Sequence, residues 1–236
     1  MLSIDLFKEI DNLIPKELAL KEDKIGYFGL NHKNTEISKI KIMLDILPED
    51  DENSQKEELI ITKNPPTFTP KTPTYTINTN WDVIDGGSSD TLAQTLNLKT
   101  EDKFDKKTGI GRICPYYKTL EHLLLNITDI IDKKHIKIAN IGNPQRKIKK
   151  IAIIPGSALN NKKYIKLAKE RTVDVLISGD LTHNSIILAK KLDITLIDIT
   201  NYYSQISGLF ALADLISTIG IPIEVIDKGI QFDYTY

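Results

Sequence analysis

Cysteine is all but missing from this 236-residue chain, which holds one, Cys114. A lone thiol excludes an internal disulfide and suits a reducing compartment, so a cytoplasmic protein is expected. Histidine is scarce too, and His32, His122, His135 and His183 are scattered along the chain. They form no Ser-His-Asp or Cys-His arrangement and suit surface or capping roles. Neither sign of charge is in excess, with Lys+Arg at 31 against Asp+Glu at 32 and a formal net charge of -1. Without a basic surplus nothing drives phosphate-backbone binding, which argues against nucleic acid as a partner. Long apolar runs are absent, none approaching the roughly 18 residues of a membrane span. At the N-terminus Leu2, Leu6, Ile10 and Leu13 share one helical face, interrupted by charges too often for a signal peptide. A soluble chain with no membrane partner is expected, and Asn126-Ile127-Thr128 matches a glycosylation acceptor by chance. Short-period repeats and low-complexity tracts are missing as well.

What is present belongs to a folded globular protein: a hydrophobic share of 41% and a charged share of 27%. The second half is the more regular. Apolar strands are predicted at 150–155, 173–177, 194–199 and 223–226, with helices at 161–170, 184–192 and 205–219 between them. Gly220 suits the C-terminus of the last helix. Such alternation means crossover units on a largely parallel sheet. Right-handed crossovers then gather Gly156-Ser157, Gly179-Asp180 and Thr200-Asn201 at one carboxyl edge, where ligand crevices of open α/β sheets form.

The first half carries the same elements less regularly. After the N-terminal helix come strands at 39–44, 59–62 and 74–79, then a helix at 90–98 behind the capping residues Ser88-Ser89. Residues 48–57 read as an acidic loop or helix start, and 99–109 as a charged connector. A strand at 111–115 and a helix at 119–132 lead to a linker at 140–149. The expected organisation is therefore a first α/β lobe over 1–140 and a second over 141–236, packed as one domain with a cleft between them.

Four polar segments stand at strand ends: Ile61–Pro70, Thr76–Gly87, Ser178–Asn184 and Asp198–Gln205. Taken singly they are ambiguous. Asp82 reads as a helix cap or a ligand, and Gly179-Asp180 as a helix cap or part of a binding edge. Taken in order they resemble the Nif-three-like family, the GTP cyclohydrolase I type 2 homolog proteins. The family's Thr-His-His-Pro loop ending in Phe is answered by Thr62-Lys63-Asn64-Pro65 and Phe68. Its His-Thr-Asn-x-Asp, Gly and Leu-Ala helix are answered by Asn78-Thr79-Asn80-Trp81-Asp82, Gly86-Gly87 and Leu92-Ala93. Its Thr-Gly-Asp and later His correspond to Ser178-Gly179-Asp180 and Asn184, and its closing Asp-x-Gly-His with a Glu to Asp198-Ile199-Thr200-Asn201 and Gln205. Asp23 with Gly26 and Gly29, Gly109-Ile110-Gly111-Arg112 and Gly156-Ser157 extend the match over nearly the whole chain.

The resemblance implies a Nif-three-like α/β fold, a toroidal homohexamer and a two-metal site. At the metal positions stand Lys63, Asn64, Asp82, Asn201 and Gln205, and Asn78 and Asn184 replace nearby histidines. Amides offer a neutral carbonyl where imidazole or carboxylate is wanted, and Lys63 adds positive charge. No metal and no cofactor are expected, and any cation held by Asp82, Asn64 or Gln205 would be a weakly bound divalent one. Lys63 is expected to pair with Asp82 while Asn64, Asn78, Asn201 and Gln205 complete a polar network. Three functions follow: a non-catalytic structural or binding oligomer; a hydrolase of the cyclohydrolase type with an oxygen-rich Mg²⁺ or Ca²⁺ site; and a small-molecule binder at Gly156, Ser157, Gly179 and Asp180.

Overall fold

A computed structural model describes residues 1–30 and 34–230 of the chain, so His32 lies outside the described residues. The first elements are α1 (Ser3–Leu13), β1 (Gly26–Phe28), β2 (Lys39–Met43), α2 (Pro48–Glu52), β3 (Glu58–Thr62), β4 (Thr74–Thr76) and α3 (Thr79–Val83). Then follow α4 (Ser88–Thr95), β5 (Asp102–Lys103), β6 (Arg112–Pro115), α5 (Leu120–Thr128), β7 (Lys137–Ala139) and β8 (Lys150–Ile153). The last are α6 (Lys162–Glu170), β9 (Val175–Ser178), α7 (His183–Leu192), β10 (Thr195–Asp198), α8 (Thr200–Ser217) and β11 (Ile223–Val225). The expected α/β class and its strand-helix alternation are present.

The chain divides into two compact units, one of Met1–Ile84 with Leu209–Tyr236 and one of Asp85–Gly208. The first unit holds a five-stranded sheet in the order β1-β4-β3-β2-β11. Strands β4, β3, β2 and β11 are mutually parallel, and β1 closes the edge antiparallel. Strand β3, Glu-Leu-Ile-Ile-Thr, is buried at every position, as an interior strand covered on both faces must be. Of the predicted N-terminal stripe, Leu6 and Ile10 of α1 are fully buried, whereas Leu13 is half-buried and Leu2 is exposed at the helix start. Asp51 of α2 accepts from the backbone N–H groups of Lys71 (2.9 Å) and Thr72 (2.7 Å), which fixes the proline-rich loop between β3 and β4.

The second unit holds a six-stranded sheet in the order β5-β6-β8-β9-β10-β7. Its centre, β8-β9-β10, is parallel, with β6 and β7 antiparallel on the flanks. Leu92, Leu120, Leu123, Ile151, Val175 and Ile197 belong to one buried cluster that joins this sheet to α4 and α5.

Two boundaries differ from expectation. The division near residue 140 falls inside the second unit, and residues 140–149 are no linker. Strand β7, just before them, pairs with β10, and their own backbone bonds back to 116–120, as in Ile148 N to Lys118 O at 2.9 Å. The final strand β11 belongs to the first sheet, beside β2, rather than to the second.

Candidate functional site

In the first unit the predicted residues sit at the carboxyl ends of parallel strands. Lys63 and Asn64 follow β3, Asn78 follows β4, and Asp82 lies on the short helix α3. A buried hydroxyl pair, Thr62 Oγ1 to Thr76 Oγ1 at 2.8 Å, clamps the two strand ends immediately before them. The Lys63 backbone N–H donates to Met43 O at 3.1 Å, and the Asn78 N–H to Asn80 Oδ1 at 2.9 Å. Backbone positions are thus set independently of the polar tips.

The tips then meet. The Lys63 ammonium donates to Asp82 Oδ2 at 3.1 Å and to Asn78 Oδ1 at 3.2 Å. Lys63 is 2% exposed and Asp82 5%, so this ion pair is buried. Asn64 does not join it, because its amide nitrogen donates outward to Asp45 Oδ1 at 2.9 Å. Asp45 follows β2 and carried no signal in the sequence beyond its place after an apolar strand. The region between β4 and Asp82, expected to be strand through residue 79, ends at Thr76 and turns into α3, whose Trp81, Asp82 and Val83 are buried.

The second unit gathers its own strand ends, as the crossover rule requires. Gly179 N donates to Gly156 O at 2.8 Å, and Ser178 Oγ to the same carbonyl at 3.0 Å. Gly156 N is itself held by Ser204 Oγ at 2.8 Å, a residue that motif reading missed. Both glycine amides are therefore engaged inside the fold. A Cβ on Gly179 would stand 2.5 Å from the backbone nitrogen of Asn201, so only glycine lets the two strand ends approach. Asp180 (φ 64°) and Thr200 (φ 65°) both adopt the left-handed conformation, costly for a β-branched residue. Buried Asp198 holds them, accepting from Thr200 N at 2.7 Å and Leu181 N at 3.1 Å.

Beyond that ring the amides chain together. Gln205 Nε2 donates to Asn201 Oδ1, and Asn201 Nδ2 donates to Asp180 Oδ2 at 3.2 Å. Gln205 is buried, whereas Asp180, Ser157 and Asn184 are exposed. Among the described residues no group of three or more His, Cys, Asp and Glu side chains is placed to hold a metal ion.

The other polar candidates serve structure. Arg112 gives both arms to Asp90, at 2.7 and 2.8 Å, and bonds the carbonyls of Gly109 and Gly111. It lines a pocket of about 760 Å³ in the second unit that includes none of the predicted site residues. His122 bonds Tyr116 Oη at 2.9 Å and Lys118 Nζ at 3.1 Å. His135 is buried beside the Tyr203 ring at 5.4 Å rather than on the surface, because the turn it closes tucks it under α8. His183 is exposed at the start of α7. Burial pushes the Cys114 thiol up to about 12, which leaves it protonated and unreactive.

The chain is similar to known proteins over most of its length. The model of the Duf34/NIF3 (NGG1p interacting factor 3) family matches residues 72–228. A GTP cyclohydrolase 1 type 2 homolog of Methanothermobacter thermautotrophicus is 34% identical over 224 residues, covering 95% of this chain and 92% of that protein. NIF3-like protein 1 of Drosophila melanogaster is 27% identical over 76% of this chain and 70% of its own length. Among solved structures, reduced HcgD from Methanocaldococcus jannaschii superposes with a TM-score of 0.81 at 26% identity, covering 96% of this chain and 98% of that one. A Bacillus cereus protein related to NIF3 shares the fold, with a TM-score of 0.80 at 16% identity and coverage of 100% and 99%. Among the described residues no helix is long and apolar enough to cross a membrane.

Proposed function

The chain belongs to the Duf34/NIF3 family, and from that premise we propose that it is a member without metal-dependent catalysis, a structural or binding protein. On this reading it acts in the cytoplasm as a homo-oligomer, a hexamer if it assembles as the resemblance implies. One observation carries it: the buried ammonium of Lys63 donates to Asp82, the one carboxylate at the positions where the resemblance implies metal ligands.

The donor set does not fit a pair of dications. Two-metal catalysis sets its ions about 3.5–4 Å apart between shared anionic ligands. Asp82 brings one negative charge, already facing an ammonium at 3.1 Å. A dication placed beside that ammonium meets a repulsion of about 4 kcal/mol per unit-charge pair near 4 Å at a surface-like dielectric. In the first unit Asn78 supplies a neutral carbonyl that already accepts a hydrogen bond, and in the second unit Asn201 does the same.

The name of the GTP cyclohydrolase 1 type 2 homologs suggests the rival reading, a hydrolase acting on GTP with a weakly held Mg²⁺ or Ca²⁺. The small-molecule reading draws on one observation, the paired left-handed residues Asp180 and Thr200 at the carboxyl edge of the second sheet. Turnover of GTP, followed by chromatography with and without Mg²⁺, separates the first two readings. The proposal expects no turnover above buffer under either condition, and Mg²⁺-dependent product formation would refute it.

A further inference from the structure

The mismatch between this half-site and a metal has a positive side, which rests on the reading above. One carboxylate oxygen, Asp82 Oδ2, and one carboxamide oxygen, Asn78 Oδ1, converge on a single nitrogen at 3.1 and 3.2 Å. Their summed charge is one negative unit, matched by one positive unit and not by four. The backbone that carries these oxygens is positioned without help from the Lys63 side chain. Asn78 is fixed through its own backbone N–H, and the strand ends by the Thr62–Thr76 hydroxyl pair. Asp82 sits between buried Trp81 and Val83 on α3. Truncating the lysine would remove the one donor that these two acceptors share.

We propose that this half-site is a monovalent-cation site of the ammonium type, and that its resident cation is the protein's own Lys63, tethered through the end of β3. The hydrogen bonds select N–H donors, and the single carboxylate selects unit charge. A dication finds too little charge there, and a cation without N–H groups finds no hydrogen bonds to make.

Chemical rescue tests this. Lys63→Ala should lower Tm by about 10 °C, as expected when one partner of a buried pair is removed from a chain of this size. Propylammonium chloride should restore at least half of that loss in the variant and leave the wild-type protein unchanged. Tetramethylammonium, Mg²⁺ and Mn²⁺ chlorides at matched ionic strength should restore none of it. An unchanged Tm in Lys63→Ala, or equal protection by tetramethylammonium or Mn²⁺, overturns the proposal. If Lys63→Ala does not fold, the set Lys63→Met, Asp82→Asn and the double variant decides. The double variant should be more stable than either single one, whereas additive losses reject the pairing. Failure of amine rescue sinks this inference alone, while Mg²⁺-dependent GTP turnover by the wild-type protein sinks the functional reading.

Discussion

The ammonium of Lys63 and the carboxylate of Asp82 stand 3.1 Å apart with side chains 3% and 8% exposed, across 19 positions of sequence. Ions so far from water are costly to separate, because the charge left behind keeps its desolvation penalty. Asp82→Asn should therefore destabilise the protein by about 3 kcal/mol in urea unfolding, well above the effect of an exposed ion pair. An effect under about 0.5 kcal/mol would mean the pair is solvated in solution.

The hydroxyl pair beneath it makes a second case. Thr62 and Thr76 are buried and bonded at 2.8 Å. Thr62→Val alone leaves the Thr76 hydroxyl without its partner and should cost about 1–2 kcal/mol. Adding Thr76→Val removes that orphan, so the double variant should be closer to wild type than the two losses summed. A thermodynamic cycle by denaturant titration reads the coupling directly.

In the second unit the strand ends are the sensitive point. Gly179→Ala places a methyl 2.5 Å from Asn201 N and 2.7 Å from the Thr200 carbonyl carbon, both backbone atoms that have little room to move. A loss of about 2 kcal/mol is expected. Gly86→Ala is a control with open space but positive φ (78°), and should cost less.

Asp51 supplies a pH test. Burial alone would raise its carboxyl, but the N–H groups of Lys71 and Thr72 outweigh that and hold it below the usual carboxylate range. A carboxyl lowered by folding adds stability that is complete above its unfolded value and fades as pH falls through the folded one. Asp51→Asn should thus cost about 2 kcal/mol at pH 7 and progressively less below about pH 4. A pH-independent difference would place the effect in packing instead.

Much of this was legible from residue order. Apolar runs such as Ile151–Ile154 and Leu196–Ile199 announced buried parallel strands, and their polar ends predicted the Gly156, Gly179 and Asn201 cluster. The pairing of Lys63 with Asp82 followed from the family resemblance, which sets both at metal-ligand positions, together with the need of a buried carboxylate for a cation. What escaped notice depended on long-range placement. Strands β1, β5 and β7 are two or three residues long, too short for a period-2 pattern, and exist because a neighbour offers a ladder. The run at 140–149 looked like a linker from its Gly, Pro and Lys content, yet its backbone is used by residues 116–120. Asn64 was expected inside the polar network, and only the position of Asp45 draws it outward.

The central claim is that the Lys63–Asp82 half-site excludes dications. Its most direct measurement is the metal content of the protein purified without chelators and then dialysed against Zn²⁺, Mn²⁺ and Fe²⁺ in turn, read by plasma mass spectrometry. The account predicts well under one ion per chain in every case. Two ions per chain, retained through gel filtration and lost on Asp82→Asn, would contradict it.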